Sequence, residues 1–181
     1  MATETGVIWT IRHADAQDVA QLSALARKTY SETFGDSFSD EELMEVLETT
    51  RSESYFSQAM EQDTILVAVD YKGDLIAYIQ ICDVTLSFDI ATTKDQQLNA
   101  LYVHSDWQGR GVGKSLMDAA LSHPRLQTAE NVYLTVWDEN PRALGLYHRF
   151  GFKIVGEEKV MAGSEVVGSD LVMMRPLVFP G

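Results

Sequence analysis

Residues 98–117 read LNALYVHSDWQGRGVGKSLM, and the reading of this stretch decides the fold. Its front, with Gln97, is rich in strand formers and predicts a β-strand over 97–103. From Val112 onward Leu116, Met117, Ala120 and Leu121 recur at helical spacing, predicting an amphipathic helix. That helix stops near His123 and Pro124, since proline disfavours helix in the residue before it. Between strand and helix lie Gly109, Gly111 and Gly113 with the cations Arg110 and Lys114. A helix start carries unpaired N–H groups and the positive end of the helix dipole, so an anion is favoured there. Glycine allows close approach, and two local cations suit a diphosphate.

Two other phosphate loops use similar residues, and both fail on spacing. A Walker A loop ending in Gly113, Lys114 and Ser115 needs glycine at position 108, which is Gln108. A dinucleotide fingerprint begun at Gly109 and Gly111 needs glycine at 114, where Lys114 stands. A structural turn without a ligand also fits the glycines.

Outward from this centre the elements alternate. Val7 to Arg12 predicts a first strand, and Asp15 an N-cap for a helix carrying Val19, Leu22, Leu25, Ala26 and Tyr30 up to Gly35. Ser39 and Glu42 form a capping-box pattern before a second helix, and residues 54–61 predict a third. Residues 64–70 and 75–83 flank YKGD, a turn with Gly73, and predict an antiparallel hairpin. Residues 89–96 read as a loop. Past the central helix, 131–137 predicts a strand. Pro141 opens a helix with Leu144, Tyr147 and Phe150 on one face that Gly151 ends, and 152–155 and 171–174 close the sheet. The expected architecture is a mixed α/β fold, a partly antiparallel central sheet flanked by helices. Without repeats or linker-like tracts, one domain over 1–181 is expected.

Composition bounds the partners. The 181 residues carry a net charge of −13, which repels polyanions and argues against nucleic acid and anionic membranes. The longest aliphatic run, Ile65 to Val69, is too short to span a bilayer, and no signal-like segment opens the chain, so a cytoplasmic protein is expected. The single cysteine, Cys82, lies in IAYIQIC and reads as a buried strand residue. His13, His104, His123 and His148 show no metal-ligand spacing, so no metal is expected. Trp107 and Trp137 read as core aromatics.

Gln108, Gly111 and Gly113 fit QxxGxG, and with WDENPRALGLYHRFGFKIVGE the chain resembles the GCN5-related N-acetyltransferase (GNAT) superfamily. The resemblance implies acetyl-coenzyme A as cosubstrate. It implies that the backbone of Leu101, Tyr102 and Val103 borders the acetyl-pantetheine arm in a strand splayed from its neighbour. Gln108, Gly109, Arg110, Gly111, Val112, Gly113, Lys114 and Ser115 would wrap the diphosphate. Asn140 resembles the family asparagine that reaches the pantetheine, and Tyr147 the tyrosine near the cofactor sulfur, the candidate catalytic acid.

An amine attacking a thioester develops an oxyanion, for which the Val103 N–H is a candidate donor. An alkylammonium with a pKa of about 10.4 must first lose a proton, and Glu32, Asp36, Asp83 and Asp89 are the carboxylates considered for the base or for binding the amine. The acidic segment 31–48, SETFGDSFSDEELMEVLE, would attract a cation, and with EVVGSDLVMMRP it resembles polyamine-type acetyltransferases. The expected acceptor is a small cationic amine. Alternatives are a protein N-terminal acetylase, which lacks support from LTVWDEN because Thr135 replaces a glutamate, an aminoglycoside acetylase, and a non-catalytic acetyl-coenzyme A binding module. The β-rich C-terminal region hints at a homodimer.

Overall fold

The structure, a computed structural model, describes residues 8–86 and 91–177. Strand β1 (Trp9–His13) leads through a 3-10 turn at Ala16–Asp18, capped by Asp15, into α1 (Val19–Phe34). A second 3-10 turn, Gly35–Ser37, precedes α2 (Asp40–Thr50) and α3 (Glu53–Gln62). Strands β2 (Thr64–Asp70), β3 (Leu75–Asp83) and β4 (Gln96–Val103) follow. Then come α4 (Val112–Ser122), a single-turn α5 (Pro124–Gln127), β5 (Asn131–Trp137), α6 (Pro141–Arg149), β6 (Lys153–Ala162) and β7 (Glu165–Pro176).

One seven-stranded sheet orders these strands β1-β2-β3-β4-β5-β7-β6. Only β4 and β5 run parallel; the other neighbours are antiparallel. The central strands are buried on both sides, which is why β2 and β3 read as nearly continuous apolar runs. Their alternation still sorts two cores. Leu66, Ala68, Ala77, Ile79 and Ile81 face α4 with Leu116, Met117 and Ala120, while Ile65, Val67, Val69 and Tyr78 face Leu22, Leu25, Ala26 and Phe56 of α1 and α3.

Several sequence expectations hold because their signals are local. The Ser39–Glu42 capping box forms in both directions, and Gly73 turns the hairpin at φ +92. Cys82 is buried, and burial pushes its thiol up to about 12, so it is no nucleophile at neutral pH.

Others need correction. Asp15 caps the 3-10 turn rather than α1 itself. α4 does stop at Ser122, as the proline predicts, but Pro124 then opens the one-turn α5, which His123 Nδ1 caps by accepting from the Arg125 N–H at 3.2 Å. The last two strands are far longer than 152–155 and 171–174: they form a hairpin turning at Gly163, φ +59. Much of β6 faces solvent, so few apolar residues mark its outer half. Val7 and Asp89 lie outside the described residues.

Candidate functional site

The site begins where two parallel strands part. β4 and β5 pair only from Gln96 opposite Val132 to Leu98 opposite Leu134. Across β3, Leu98 faces Ile81 and Ala100 faces Gln80, so Asn99 is a bulge residue without a partner. A bulge increases local twist and bends its strand, which turns the end of β4 away from β5. The His104 N–H donates to the Ile76 carbonyl at 2.8 Å. By the alternation of an antiparallel ladder, Tyr102 therefore bonds to β3, while the main-chain groups of Leu101 and Val103 face the gap.

The glycine loop continues from that strand end. Gly109 (φ +76) and Gly111 (φ +90) lie in the left-handed region and alternate with Arg110 and Val112. Such alternation turns successive N–H groups to one side, a concavity suited to an anion. Gly111 also caps α4 and offers no side-chain acceptor; the first described N–H to bond back is that of Ser115, to the Gly111 carbonyl at 3.0 Å. The amides of Val112, Gly113 and Lys114 thus point out of the helix end. Val112 contributes backbone alone, since its side chain is buried in the core. Ser115 Oγ donates to the Gly111 carbonyl at 3.0 Å, Lys114 pairs with Asp118 at 2.7 Å, and the Arg110 guanidinium lies 5.3 Å from the Trp107 ring centre.

Two cavities meet at this gap. One, of about 480 Å³, is lined by the loop glycines, Trp107, Lys114, Arg142, Arg149 and Phe150. The other, of about 760 Å³, is lined by Glu32, Asp36, Trp137, Glu139, Asn140 and Tyr147 among others. Val103, Gln108, Gly113, Arg142 and Leu146 border both, so the two form one groove. At its waist Gln108 Nε2 donates to the Val103 carbonyl (3.1 Å) and Arg142 Nη1 donates to Gln108 Oε1 (2.6 Å). The small cavity carries cations and the large one carboxylates.

Tyr147 projects from α6 into the large cavity, and burial pushes its phenol well above the usual value. A phenol kept protonated in this way is present as a proton donor throughout the neutral range. Asn140 caps α6, its Oδ1 accepting from the Ala143 N–H at 3.2 Å. Its amide nitrogen remains for the groove that it borders.

A family model described as an acetyltransferase (GNAT) domain matches residues 34–171. This chain belongs to the GNAT acetyltransferase family. It is 23% identical over 175 residues to an uncharacterized N-acetyltransferase in the pepI 3'region of Lactobacillus delbrueckii subsp. lactis, across 96% of this chain and 99% of that protein. It is 30% identical over 102 residues to the spermine/spermidine N(1)-acetyltransferase of Bacillus subtilis (strain 168), which covers 52% of this chain and 66% of that protein. The fold is similar to the crystal structure of a PaiA N-acetyltransferase from Thermoplasma acidophilum in complex with coenzyme A. The TM-score is 0.74 at 19% identity, covering 94% of this chain and 99% of that one.

In this GNAT chain the structure sorts the carboxylates that sequence left undecided. Glu32 and Asp36 border the large cavity, Glu32 while paired with the exposed Lys28 at 2.9 Å one turn earlier on α1. Asp83 does not: it is bound by Arg125 at 3.0 Å and by Gln96 at 3.1 Å, and those bonds hold its carboxyl below the usual range. Of the acidic helix only its approach counts, for Glu42 serves the capping box and Glu48 pairs with Arg27. Trp107 and Trp137 meet the core as expected, Trp137 buried and Trp107 packed against the main cluster, and both also line the groove. Glu139, Arg142 and Arg149 were missed. Their charges in 138–149 were visible, but only the approach of α6 to the glycine loop gives them a direction.

Proposed function

We propose that this protein transfers the acetyl group of acetyl-coenzyme A directly to a primary amine of a small cationic molecule, such as a polyamine, with both substrates bound together. The observation that carries this reading is the single groove running from outward-pointing amides at the start of α4 to a carboxylate-lined mouth, with the parted strands between. The loop fits a diphosphate, because the amides of Gly109 to Lys114 and the nearby cations can hold an anion that the rest of an acidic chain repels. When bound, the coenzyme supplies a thioester carbonyl open to attack.

The remaining roles fall to the chain itself. Leu101 and Val103 offer main-chain groups to the arm along the gap, as a strand would to a partner strand. The Asn140 amide steadies the same arm from the α6 side, and the Val103 N–H stabilises charge that gathers on the carbonyl oxygen. Glu32, Asp36 and Glu139 draw an ammonium into the mouth and take up its proton, directly or through water. The N–C bond then forms as the C–S bond breaks, and the departing sulfur takes a proton from Tyr147. A thiol of pKa about 8.5 leaves readily, so that proton lowers the barrier modestly and positioning matters more.

The test is a thiol-release assay across amines, from spermidine to short peptides, with acetyl-coenzyme A. Amine-dependent release with matching N-acetyl product is expected. Binding of the coenzyme without release by any amine would instead make the protein a non-catalytic sensor.

A further inference from the structure

Arg51 carries a charge that no acidic side chain among the described residues neutralises. Its carbonyl accepts from Ser23 Oγ at 2.7 Å, which anchors the end of α2 beside the middle of α1. From there the side chain lies between α1 and the sheet, with its guanidinium carbon 4.9 Å from the Tyr30 ring centre and 5.7 Å from that of Tyr102. Nη1 donates to the Thr50 carbonyl at 2.8 Å. Nε is buried with no partner among the described residues, and so is the hydroxyl of the fully buried Tyr78. Tyr78 sits opposite Tyr102 in the sheet register.

No carboxylate among the described residues pairs with this guanidinium. Burial pushes the phenols of Tyr30 and Tyr78 upward, so both are uncharged at neutral pH. Ring faces attract a cation but do not discharge it, and a buried charge without an opposite partner is costly. In a chain with 27 acidic residues, a guanidinium that pairs with none of the described ones is suited to an anion from outside.

The position indicates which anion. Tyr102 lines the large cavity, and so do Thr29 and Thr33, which flank Tyr30 on α1. One aromatic ring therefore separates Arg51 from that cavity, and because neither Arg51 nor Tyr78 lines it, a ligand group reaches them only when the Tyr102 ring turns aside. We propose that the acceptor carries a carboxylate as well as its amine, and that Arg51, with the Tyr78 hydroxyl, receives it. This rests on the acetyl-transfer reading and narrows it: the ligand that satisfies both the acidic mouth and Arg51 is a basic amino acid, whose side-chain ammonium meets Glu32, Asp36 and Glu139. A bare polyamine satisfies the mouth alone.

Matched pairs test the idea, because lysine differs from cadaverine, and ornithine from putrescine, only by the carboxylate. In steady-state thiol release the wild type is expected to prefer the amino acid in kcat/KM by roughly tenfold to a hundredfold, the range of a charge-assisted hydrogen bond. Arg51→Gln should abolish that preference while leaving the diamines within about twofold, on the same scale of effect. Tyr78→Phe removes only an unbonded hydroxyl, so it should fold and melt like the wild type yet lose part of the preference. Equal use of lysine and cadaverine by the wild type, or an equal loss for both in Arg51→Gln, would overturn the carboxylate subsite while leaving acetyl transfer standing. Absence of turnover with every amine would overturn the transfer reading and this inference together.

Discussion

The two ends of the groove are built by different means. At the cationic end one unbroken run, Gly109 to Lys114, presents main-chain amides, and its charged neighbours Arg142 and Arg149 arrive from a single helix. The acceptor end draws on α1, the 3-10 turn after it, the end of β4, the end of β5 and α6. Amides need only the correct backbone path, which two left-handed glycines supply. A pocket made of side chains needs each element docked at a set distance. Such a division allows one end to stay committed to a constant ligand while the other takes its specificity from packing.

Changes at either end should separate accordingly. The largest effect is expected from Gly111→Val. A branched side chain at φ +90 is strained, and relieving the strain turns the amides away from the anion, so acetyl-coenzyme A affinity should fall about a hundredfold by calorimetry. Retained affinity would show that the diphosphate is held elsewhere. Tyr147→Phe should lower kcat by roughly tenfold to a hundredfold with the acceptor KM unchanged. Because the folded phenol titrates far above its usual value, it stays protonated from about pH 6 to pH 10 and loses its proton only as pH rises further. The pH profiles of wild type and variant should therefore run parallel across that range, and a gap that widens or closes inside it would count against the acid role.

The acceptor end answers to packing. A Cβ at Gly168 would stand 2.2 Å from Trp137 Cη2, so Gly168→Ala must displace an indole that lines the mouth. A loss of about 1–3 kcal/mol in urea unfolding and a raised acceptor KM are expected, with coenzyme binding intact. The smallest effects belong to Glu32→Gln and Asp36→Asn, whose exposed carboxylates act through a screened field. Each should raise the acceptor KM about two- to fivefold at low salt, an effect fading at about 1 M salt, where the screening length is near 3 Å. Persistence at high salt would mark direct contact instead.

How much was legible in advance follows the same division. The hairpin at Gly73, the capping box at Ser39 and the strand–loop–helix from Gln97 to Leu121 all rest on residues near one another in sequence, and the structure contains each. The solvent-facing part of β6 lacked the apolar alternation that marks a half-buried strand, since Glu157, Glu158 and Lys159 stand side by side in it. Arg51 gave no sign at all: just past α2 it is one more charged residue near a helix end, and only the convergence of Tyr30, Tyr78 and Tyr102 isolates it.

From sequence alone came the element order, the family and the glycine loop between strand and helix, because glycine spacing and hydrophobic period act through backbone conformation over a few residues. The tertiary structure alone decided which carboxylates reach the groove, that both tryptophans line it, and that one guanidinium pairs with no acid among the described residues. Those outcomes depend on contacts between elements dozens of residues apart, whose distances are set by the bulge at Asn99 and by the packing of helices on the sheet.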